Sequence, residues 1–374
     1  MYMRIAILTL PLHTNYGGIL QAYALQKTLE RMGHEVRIIE KVKKPLSLPL
    51  YKMPFSYGKR IIKNITGEKY PIFIEQKINR EKPIISQYTN QFIDRYINLS
   101  RYKDFNDIKE SDYDAIVVGS DQVWRAKYYK FSKLEDAFLG FTKNWNIIRI
   151  SYAASFGIEE WDYTPQQTVV CSDLIKSFTA VSLREDSGVE LCKKYFNIEG
   201  FHVIDPTMLL CKNDYIQLFK ATETPKSNGN LLCYILDETL EKQTVLQQII
   251  NDKGLKSFNV KSKSDDINSS LSDRIQPPLE QWLRGFYDAD FVFTDSFHAC
   301  VFSILFNKPF IVFGNKRRGL TRFVSLLKMF GLEDCLLLDS KNYKIDVDID
   351  WKKVNAILED KRTQAISFLS KYLC

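Results

Sequence analysis

Short apolar runs alternate with longer segments of helical periodicity in the first part of the chain. Ile5–Thr9 is an apolar run of strand length. The segment after it repeats apolar residues at spacings of three and four until Gly33, a typical helix stop. Val36–Ile39 then predicts a second strand. A strand, a helix and a strand in this order, with apolar strands, predict a parallel sheet that is covered on both faces.

The same alternation continues almost to the C-terminus. Further strands are predicted at Ala115–Val118, Ile147–Ala153, Ala180–Leu183, Leu231–Leu236, Ser257–Val260, Phe291–Phe293 and Phe310–Phe313. Helices are predicted near 239–252, over Leu279–Phe286 and over 296–306.

The alternation predicts an α/β fold made of two Rossmann-like domains with a cleft between them. We predict a first domain over 1–205, with an insertion at about 41–111 that is basic at first and then helical. A second α/β domain follows over 206–350, and apolar residues at helical spacing predict a C-terminal helix over 351–374. Ligands of open α/β sheets bind beyond the carboxyl ends of the strands, so those positions are the candidates for function.

The composition is that of a globular protein, with 45% hydrophobic and 26% charged residues. No apolar run approaches the ~18 residues of a membrane span, and the apolar N-terminus is too short for a signal peptide. We therefore expect a cytoplasmic protein. The seven cysteines show no CxxC pair, which favours free thiols. The four histidines have no metal-binding spacing, so no protein-bound metal is expected.

The net charge of +7 is concentrated between Lys41 and Lys69, where eight basic residues accompany one acid, Glu68. Leucine, proline, tyrosine, phenylalanine and methionine are interleaved with these charges. One interpretation is a solvated insertion, whose apolar residues pack on the protein and whose lysines face water. The other is peripheral contact with anionic lipid at the inner face of the membrane, with shallow insertion of Leu48, Leu50, Tyr51, Met53, Phe55 and Tyr57. No nucleic-acid partner is expected, because no recognised nucleic-acid module accompanies the basic segment.

Paired glycines and an acidic residue follow two of the predicted strands. Gly17 and Gly18, after Asn15, stand at a helix N-terminus, where the backbone can approach an anion, although a tight turn would use the same residues. Neither GxGxxG nor GxxxxGK[ST] occurs, so neither nicotinamide nor P-loop chemistry is indicated. Asp121 follows Ala115–Val118 and is a candidate acid or base, or else a helix cap.

Cationic residues follow two other strands. Arg184 comes directly after Ala180–Leu183, where a guanidinium suits bidentate capture of a carboxylate or phosphate. It could instead pair with Glu185 or Asp186 on the surface. The loop after Phe310–Phe313 has the composition of a phosphate clamp or of a solvated loop, and its cations are Lys316, Arg317, Arg318 and Arg322.

His298 lies in the first turn of the predicted helix 296–306, which Asp295 or Ser296 would cap. The helix dipole at this position favours an anion and lowers the pKa of an imidazole, whereas a bound phosphate would raise it. In either state the ring is placed to donate to an anionic ligand. The alternative is a core histidine with satisfied nitrogens.

Six segments, taken in their order and spacing, resemble the polysaccharide pyruvyl transferase family over most of the chain. They are NYGGILQAYAL (15–25), VVGSDQVW (117–124), SYAASFG (151–157), VSLRED (181–186), DPTMLL (205–210) and TDSFHACVFSILFNKPFIVF (294–313). Two features depart from the family. Ala299 stands where relatives often have glycine after the histidine, and residues 41–69 match no motif of the family.

The resemblance implies a two-domain enzyme of GT-B-like architecture. Such an enzyme transfers the enolpyruvyl carbon skeleton of phosphoenolpyruvate to a sugar of a surface polysaccharide or of its lipid-linked precursor, forming a pyruvate ketal. In the family the arginine of the SxRE motif and the histidine contact the donor, and these positions are Arg184 and His298 here. We predict as catalytic His298, Arg184 and Asp121. We predict as substrate-binding Asn15, Gly17, Gly18, Ser296, Arg317, Arg318 and Arg322.

The chemistry of phosphoenolpyruvate suits these residues, because its carboxylate and phosphate need fixed cations and N–H donors. No metal or organic cofactor is expected. One alternative is a GT-B glycosyltransferase that uses a nucleotide-sugar donor, since a fold does not fix its chemistry. Another is a catalytically inactive sugar-binding protein.

Overall fold

The strands of the protein form two separate sheets. The structure, a computed structural model, describes residues 2–67, 71–129, 133–314, 319–344 and 347–373. Within these residues the first sheet has seven strands and the second has five, and every strand pair is parallel. The predicted fold class, two parallel α/β domains, is confirmed.

The first sheet has the strand order β3-β2-β1-β4-β5-β6-β7. Its strands are β1 (Arg4–Leu8), β2 (Glu35–Lys41), β3 (Leu99–Tyr102), β4 (Ala115–Gly119), β5 (Ile148–Ala154), β6 (Ala180–Leu183) and β7 (Phe201–His202). The helices along this part of the chain are α1 (Tyr16–Arg31), α2 (Met53–Ile65), α3 (Ile74–Ile85), α4 (Gln87–Tyr96), α5 (Pro165–Ile175) and α6 (Asp186–Leu191). The central strands β1 and β4 are almost completely buried, as expected of apolar strands covered on both faces.

The second sheet has the order β12-β11-β10-β8-β9. Its strands are β8 (Leu231–Tyr234), β9 (Ser257–Phe258), β10 (Phe291–Thr294), β11 (Phe310–Phe313) and β12 (Leu336–Leu337). The helices of this half are α7 (Lys212–Ala221), α8 (Leu240–Lys253), α9 (Leu271–Arg274), α10 (Leu279–Asp288), α11 (Phe297–Leu305), α12 (Leu320–Phe330) and α13 (Trp351–Leu373).

Two edge strands of the first sheet were not predicted. β3 lies within the predicted insertion and pairs with β2, so that Ile38 stands opposite Leu99. The helices α2 to α4 therefore form an excursion between two neighbouring strands of one sheet. β7 is two residues long and pairs with the end of β6. Both strands are short and only partly buried, so they lack the apolar run that identifies an interior strand.

Aromatic and polar contacts join the two halves of the molecule. Tyr16 begins α1, and its hydroxyl donates to the carbonyl of Pro277 at 2.6 Å, while its ring lies 5.6 Å from that of Trp282. The predicted C-terminal helix is present as α13 and returns to the first domain, where Phe368 packs against Tyr152. These contacts bring the carboxyl ends of β1 and β10 to opposite sides of one cleft.

Candidate functional site

A cleft of about 1090 Å³ separates the carboxyl ends of the two sheets. Six of the predicted site residues line it, and they are Asn15, Gly18, Asp121, Ser296, His298 and Arg322. Gly17 and Arg184 are buried directly behind the wall of the cleft. Arg317 and Arg318 lie outside the described residues. The cleft therefore lies beyond the carboxyl ends of the strands, where open α/β sheets bind their ligands, and both domains contribute to its wall.

Two helices from opposite domains begin at this cleft. Asn15 and Gly18, at the start of α1, line one wall, and Ser296 and His298, at the start of α11, line the other. Neither helix has an acidic residue in its first turn. Helix N-termini carry partial positive charge and unpaired N–H groups, so the two together favour an anionic ligand.

Ser296 caps α11, which was one of the two predicted alternatives, the other being Asp295. Its hydroxyl accepts from the N–H of Ala299 at 3.5 Å. His298 is thereby fixed in the first turn with 7% of its surface exposed. Its Nε2 lies 3.6 Å from a carboxylate oxygen of Asp205 and makes no hydrogen bond within the described part of the chain.

Gly17 explains how α1 and α11 can approach so closely. A Cβ atom at this position would overlap the imidazole of His298. The sequence predicted Gly17 as a point of backbone approach to an anion, and in the structure the imidazole itself occupies the space beside it. The missing side chain thus lets the two domains hold His298 between them.

Gly17→Ala should therefore displace His298 or push the start of α1 away from it. We expect a loss of about 1–3 kcal/mol in the free energy of unfolding, the usual cost of overpacking, together with reduced turnover. Chemical denaturation and activity measured on the same preparation would show both effects. Gly285→Ala is the matched control, since a Cβ there meets Leu232 at an ordinary 3.6 Å. Equal stability of the two variants would contradict the close approach.

Asp205 is the buried carboxylate that links the site residues, and sequence reasoning did not single it out. Its Oδ2 accepts from Nη1 of Arg184 at 2.8 Å, and its Oδ1 accepts from both the N–H and the hydroxyl of Thr207. The same Oδ2 faces His298. Its position after Val203 and Ile204, at the start of the segment DPTMLL, was the available signal in the sequence.

Arg184 forms ion pairs with two carboxylates. Nη2 lies 3.3 Å from Asp121 and Nη1 lies 2.8 Å from Asp205, while its side chain is 1% exposed. The alternative of a surface pair with Glu185 or Asp186 is therefore wrong. Direct contact between Arg184 and a donor stays a prediction, because both terminal nitrogens bind carboxylates in this structure.

Asp121 is not a helix cap. Residues 121–125 form a turn, and Asp121 has a φ of 56°, in the left-handed region that few residues other than glycine adopt. Its Oδ2 lies 3.4 Å from the side-chain amide of Asn15, across the cleft wall. This unusual backbone conformation turns the carboxylate towards Arg184 and the cleft.

The charges of this group shift the pKa values of its members. Burial alone would raise the pKa of Asp121, but the positive charges of Arg184, His298 and Arg322 outweigh it and hold that pKa below its usual range. Burial is likewise outweighed at Asp205, whose pKa is lowered by His298 and Arg184. Both carboxyl groups are therefore ionised at neutral pH.

Arg322 lines the cleft, whereas Arg184 is buried behind its wall. Burial and the neighbouring charge of Arg184 lower the pKa of Arg322 to about 10, so it stays protonated at neutral pH. The guanidinium carbons of Arg184 and Arg322 lie 4.4 Å and 5.4 Å from the centre of the Phe297 ring. One aromatic ring thus holds two cations side by side, which concentrates positive charge at the cleft.

The position of Arg322 depends on contacts between α12 and the first domain. Gly319 has a φ of 88° and lies so close to the carbonyl of Gly157 that a Cβ would overlap it. The hydroxyl of Ser325 accepts from the N–H of Asp186 at 3.1 Å. Arg322 therefore belongs to the second domain by sequence but is fixed against the first.

Glu185 is a second residue whose role the sequence did not indicate. Its Oε1 accepts from the hydroxyl of Ser155 at 2.8 Å and from the N–H groups of Phe156 and Gly157 at 3.0 and 3.2 Å. It therefore holds the segment 155–157, the same segment that Gly319 contacts. Of these two adjacent residues, Arg184 therefore pairs with the buried carboxylates, and Glu185 holds the loop that supports α12.

His13 also lines the cleft and was missed. It is a solvent-exposed residue that lies between the walls of the cleft. Partial loss of hydration there, followed by the charges of Lys43 and Lys82, lowers the pKa of His13 to about 4. His13 is therefore neutral at pH 7 and can either donate or accept a hydrogen bond there. Lys43 lies in the basic segment, so part of that segment faces the cleft.

No cluster of three or more His, Cys, Asp or Glu side chains suited to a metal ion occurs among the residues that the structure describes.

Several solved structures are similar to this chain at the level of overall shape. UDP-GlcNAc 2-epimerase from Neisseria meningitidis bound to UDP-GlcNAc is 10% identical, with a TM-score of 0.46, covering 100% of this chain and 93% of that one. UDP-GlcNAc 2-epimerase from Methanocaldococcus jannaschii is 12% identical, with a TM-score of 0.44 and coverage of 96% and 92%. Sucrose-phosphate synthase from Thermosynechococcus elongatus is 9% identical, with a TM-score of 0.45 and coverage of 98% of each chain. TM-scores below 0.5 carry no further conclusion about this protein.

Comparison by sequence gives a more specific result. No curated protein matches the chain significantly. The family model described as "Polysaccharide pyruvyl transferase" matches residues 15–317, which is most of the 374 residues and includes the starts of both α1 and α11. The resemblance carried by the six sequence segments is thereby confirmed, and this chain belongs to the polysaccharide pyruvyl transferase family.

Proposed function

We propose that this protein transfers the pyruvyl group of phosphoenolpyruvate to a sugar of a surface polysaccharide or of its lipid-linked precursor, forming a cyclic ketal. The observation that supports this most is the convergence of two helix N-termini and Arg322 on one cleft. Phosphoenolpyruvate carries two anionic groups, and a site of this kind offers N–H donors from both domains and a fixed guanidinium between them.

The reaction needs a proton at the methylene carbon of the donor. That proton makes C2 electrophilic, a sugar hydroxyl attacks C2 and loses its own proton, and the bond from C2 to the phosphate oxygen breaks. A second hydroxyl then attacks C2 and closes the ketal. The protein must therefore deliver one proton, accept protons from two hydroxyls and stabilise the departing phosphate.

His298 is the proposed proton donor, since imidazole side chains exchange protons near neutral pH. Asp205 lies 3.6 Å from its Nε2 and would stabilise the protonated ring. Asp121 stays ionised because its pKa is lowered, so it suits the role of hydrogen-bond acceptor or base rather than acid. We propose that Arg322 holds the phosphate, as a guanidinium on the cleft wall.

Arg322→Met should weaken binding of phosphoenolpyruvate by about 10- to 100-fold, the usual worth of a hydrogen bond to a charged group. Arg322→Lys should recover part of this, because lysine keeps the charge and loses the paired geometry. Isothermal titration of the folded variants would measure both. Arg31→Met is the control, because Arg31 pairs with Asp214 on the surface away from the cleft. Unchanged affinity in Arg322→Met would remove Arg322 from the donor site.

Thermal denaturation with phosphoenolpyruvate and with UDP-sugars distinguishes the proposed reaction from its alternatives. A ligand at 100 times its dissociation constant stabilises the folded state by about 2.7 kcal/mol. Stabilisation by phosphoenolpyruvate and phosphate release with an acceptor would support the proposal. Stabilisation by a nucleotide sugar alone would favour the glycosyltransferase. Sugar binding without turnover would indicate an inactive sugar-binding protein.

The acceptor can be identified by mass spectrometry of the surface glycan from cells with and without this gene. We expect the glycan to lose an adduct of pyruvate size when the gene is removed. An unchanged glycan would contradict a polysaccharide or lipid-linked acceptor.

A further inference from the structure

An exposed apolar stripe runs along α2 and the turn before it. Five large side chains form it, with exposed fractions of 82% for Leu50, 78% for Tyr51, 81% for Phe55, 63% for Ile62 and 80% for Ile65. At about 100° per residue, Phe55, Ile62 and Ile65 fall within one quadrant of the helix. Isolated exposed apolar residues are ordinary, but a continuous stripe of large ones marks an interaction surface.

The opposite side of α2 is the side that packs on the protein. Tyr57 lies edge-on to Phe73 with ring centres 5.1 Å apart, and Arg60 forms a bidentate ion pair with Glu75. The helix is thus held in one orientation. The interpretation that all the apolar residues of the insertion pack inward is therefore wrong for the five residues of the stripe.

Cations border the stripe. Residues 41–67 contain seven lysines and arginines and no acidic residue. Lys41 is paired with Asp104 and Asp136, and Arg60 with Glu75. Lys52 and Lys59 are exposed; Lys59 lies one turn after Phe55 on α2, and Lys52 lies in the turn directly before the helix. An apolar stripe with a lysine edge is the pattern of helices that lie in the interface of a membrane.

We propose that the stripe of α2, with its lysine edge, is a docking surface for an anionic lipid bilayer. Large apolar side chains enter the boundary between headgroups and acyl chains, and the lysines contact the anionic headgroups. A second copy of this chain fits the surface less well, because self-association would bring two edges of the same charge together. Within the described residues no helix is long and apolar enough to cross a membrane.

The surface is connected directly to the cleft. Val42 and Lys43 line the cleft, and α2 begins at Met53. Ten residues of extended chain span at most about 35 Å, so the start of α2 lies within that distance of the cleft. A protein held at the start of α2 would therefore keep its cleft on the order of 35 Å or less from the point of attachment. Binding of α2 to a bilayer requires neither a sugar acceptor nor catalytic activity, so it can be tested without them.

Co-sedimentation of the full chain with vesicles tests the proposal. We expect binding to phosphatidylcholine vesicles with about 30% phosphatidylglycerol at low salt, and weaker binding to pure phosphatidylcholine. Raising the salt from about 50 to 500 mM should release the protein, because the headgroup contacts are screened. The double variant Lys52→Gln/Lys59→Gln should lower the partition coefficient about 25-fold, about fivefold for each lysine. Phe55→Ser/Ile62→Ser should lower it at least tenfold.

Matched variants control for total charge and for exposed apolar surface. Lys176→Gln/Lys193→Gln removes two exposed lysines elsewhere, and Leu240→Ser removes a side chain that is 83% exposed at the start of α8. Both should bind vesicles like wild type.

Three outcomes would overturn the proposal. The first is wild-type protein that stays in the supernatant with anionic vesicles at low salt. The second is equal binding by the α2 variants and their controls. The third is a wild-type dimer in sedimentation equilibrium that Phe55→Ser/Ile62→Ser dissociates, because the stripe would then bind a second copy of the chain.

Discussion

Replacing His298 by alanine should lower the rate of pyruvyl transfer by about 100- to 10,000-fold, the range that general acid–base catalysis supplies. The structure puts His298 at the start of α11, on the cleft wall and opposite Asp205. The stability of the fold should change little. Asp205 keeps its bonds to Arg184 and Thr207, and the lost imidazole has an Nε2 with no hydrogen bond in the described part of the chain.

Turnover and melting temperature measured on one preparation would check this prediction. His34→Ala is the control, because His34 is also buried but stands at the far end of α1, before β2. We expect that variant to lose stability and to keep its turnover per folded molecule. A large drop in melting temperature for His298→Ala, with activity lost in proportion to folded protein, would show that His298 is a core residue.

Added imidazole gives a second and independent readout. If His298 supplies a proton, free imidazole should restore part of the activity of His298→Ala, since the alanine leaves room for the ring. A purely structural role would give no such rescue.

The sequence predicted the interior of both sheets because strands such as β1, β4, β10 and β11 are short, mainly apolar runs. Ala180–Leu183 and Phe310–Phe313 were predicted to the residue. The location of the cleft followed from the same runs, because parallel strands bring their carboxyl ends to one edge. Polar residues such as His298 and Asp121 then stood out by position alone.

The partners of those residues could not be predicted, because they are far apart in the chain. Arg184 pairs with residues 63 and 21 positions away, Asp121 and Asp205. Nothing in the local sequence distinguishes this from a surface pair with the adjacent Glu185. The same limit applies to Gly17, whose missing side chain makes room for a residue of the other domain.

The insertion shows a different limit of sequence reasoning. Its charges and apolar residues were visible, but the direction in which each side chain points was not. Met53 and Tyr57 were expected to insert into a membrane, and both are partly buried. Ile62 and Ile65 were not named and are among the exposed residues of the stripe. The packing of α2 on α3 decides which side of the helix stays free.

Arg184→Met should lower the free energy of unfolding by about 3–5 kcal/mol, the cost of removing one partner from a buried ion pair. Asp121 and Asp205 would remain in the interior as carboxylates without their shared cation. Arg184→Lys should also be strongly destabilised, because one ammonium group cannot bridge both carboxylates as the forked guanidinium does. Urea denaturation monitored by circular dichroism would give the values.

The double variant Arg184→Met/Asp205→Asn provides the matched control. If the loss arises from the orphaned carboxylates, replacing Asp205 should recover part of it, and the two substitutions should not be additive. Additive effects would mean that the methionine acts through its shape and not through the missing charge.

The stabilisation that the ion pairs of Arg184 provide should depend on pH. In the wild type the pKa values of Asp121 and Asp205 are lowered, so their pairing stabilises the fold above the ordinary aspartate pKa of about 3.9 and is lost as the pH falls below it. In Arg184→Met the orphaned carboxyls can take up protons at higher pH. The stability difference between the two proteins should therefore be full near pH 7 and shrink as the pH falls towards 4.

Binding of phosphoenolpyruvate to the same variants separates positioning from direct contact. If Arg184 positions Asp121 and Asp205, variants that still fold should lose affinity for phosphoenolpyruvate to the extent that these two carboxylates are displaced. Arg184→Met/Asp205→Asn should then recover part of that affinity. If Arg184 instead contacts the donor directly, Arg184→Met should lose affinity at least 100-fold, and Arg184→Met/Asp205→Asn should recover stability without recovering affinity. Recovery of both stability and affinity in the double variant would contradict direct contact, because that variant still lacks the guanidinium.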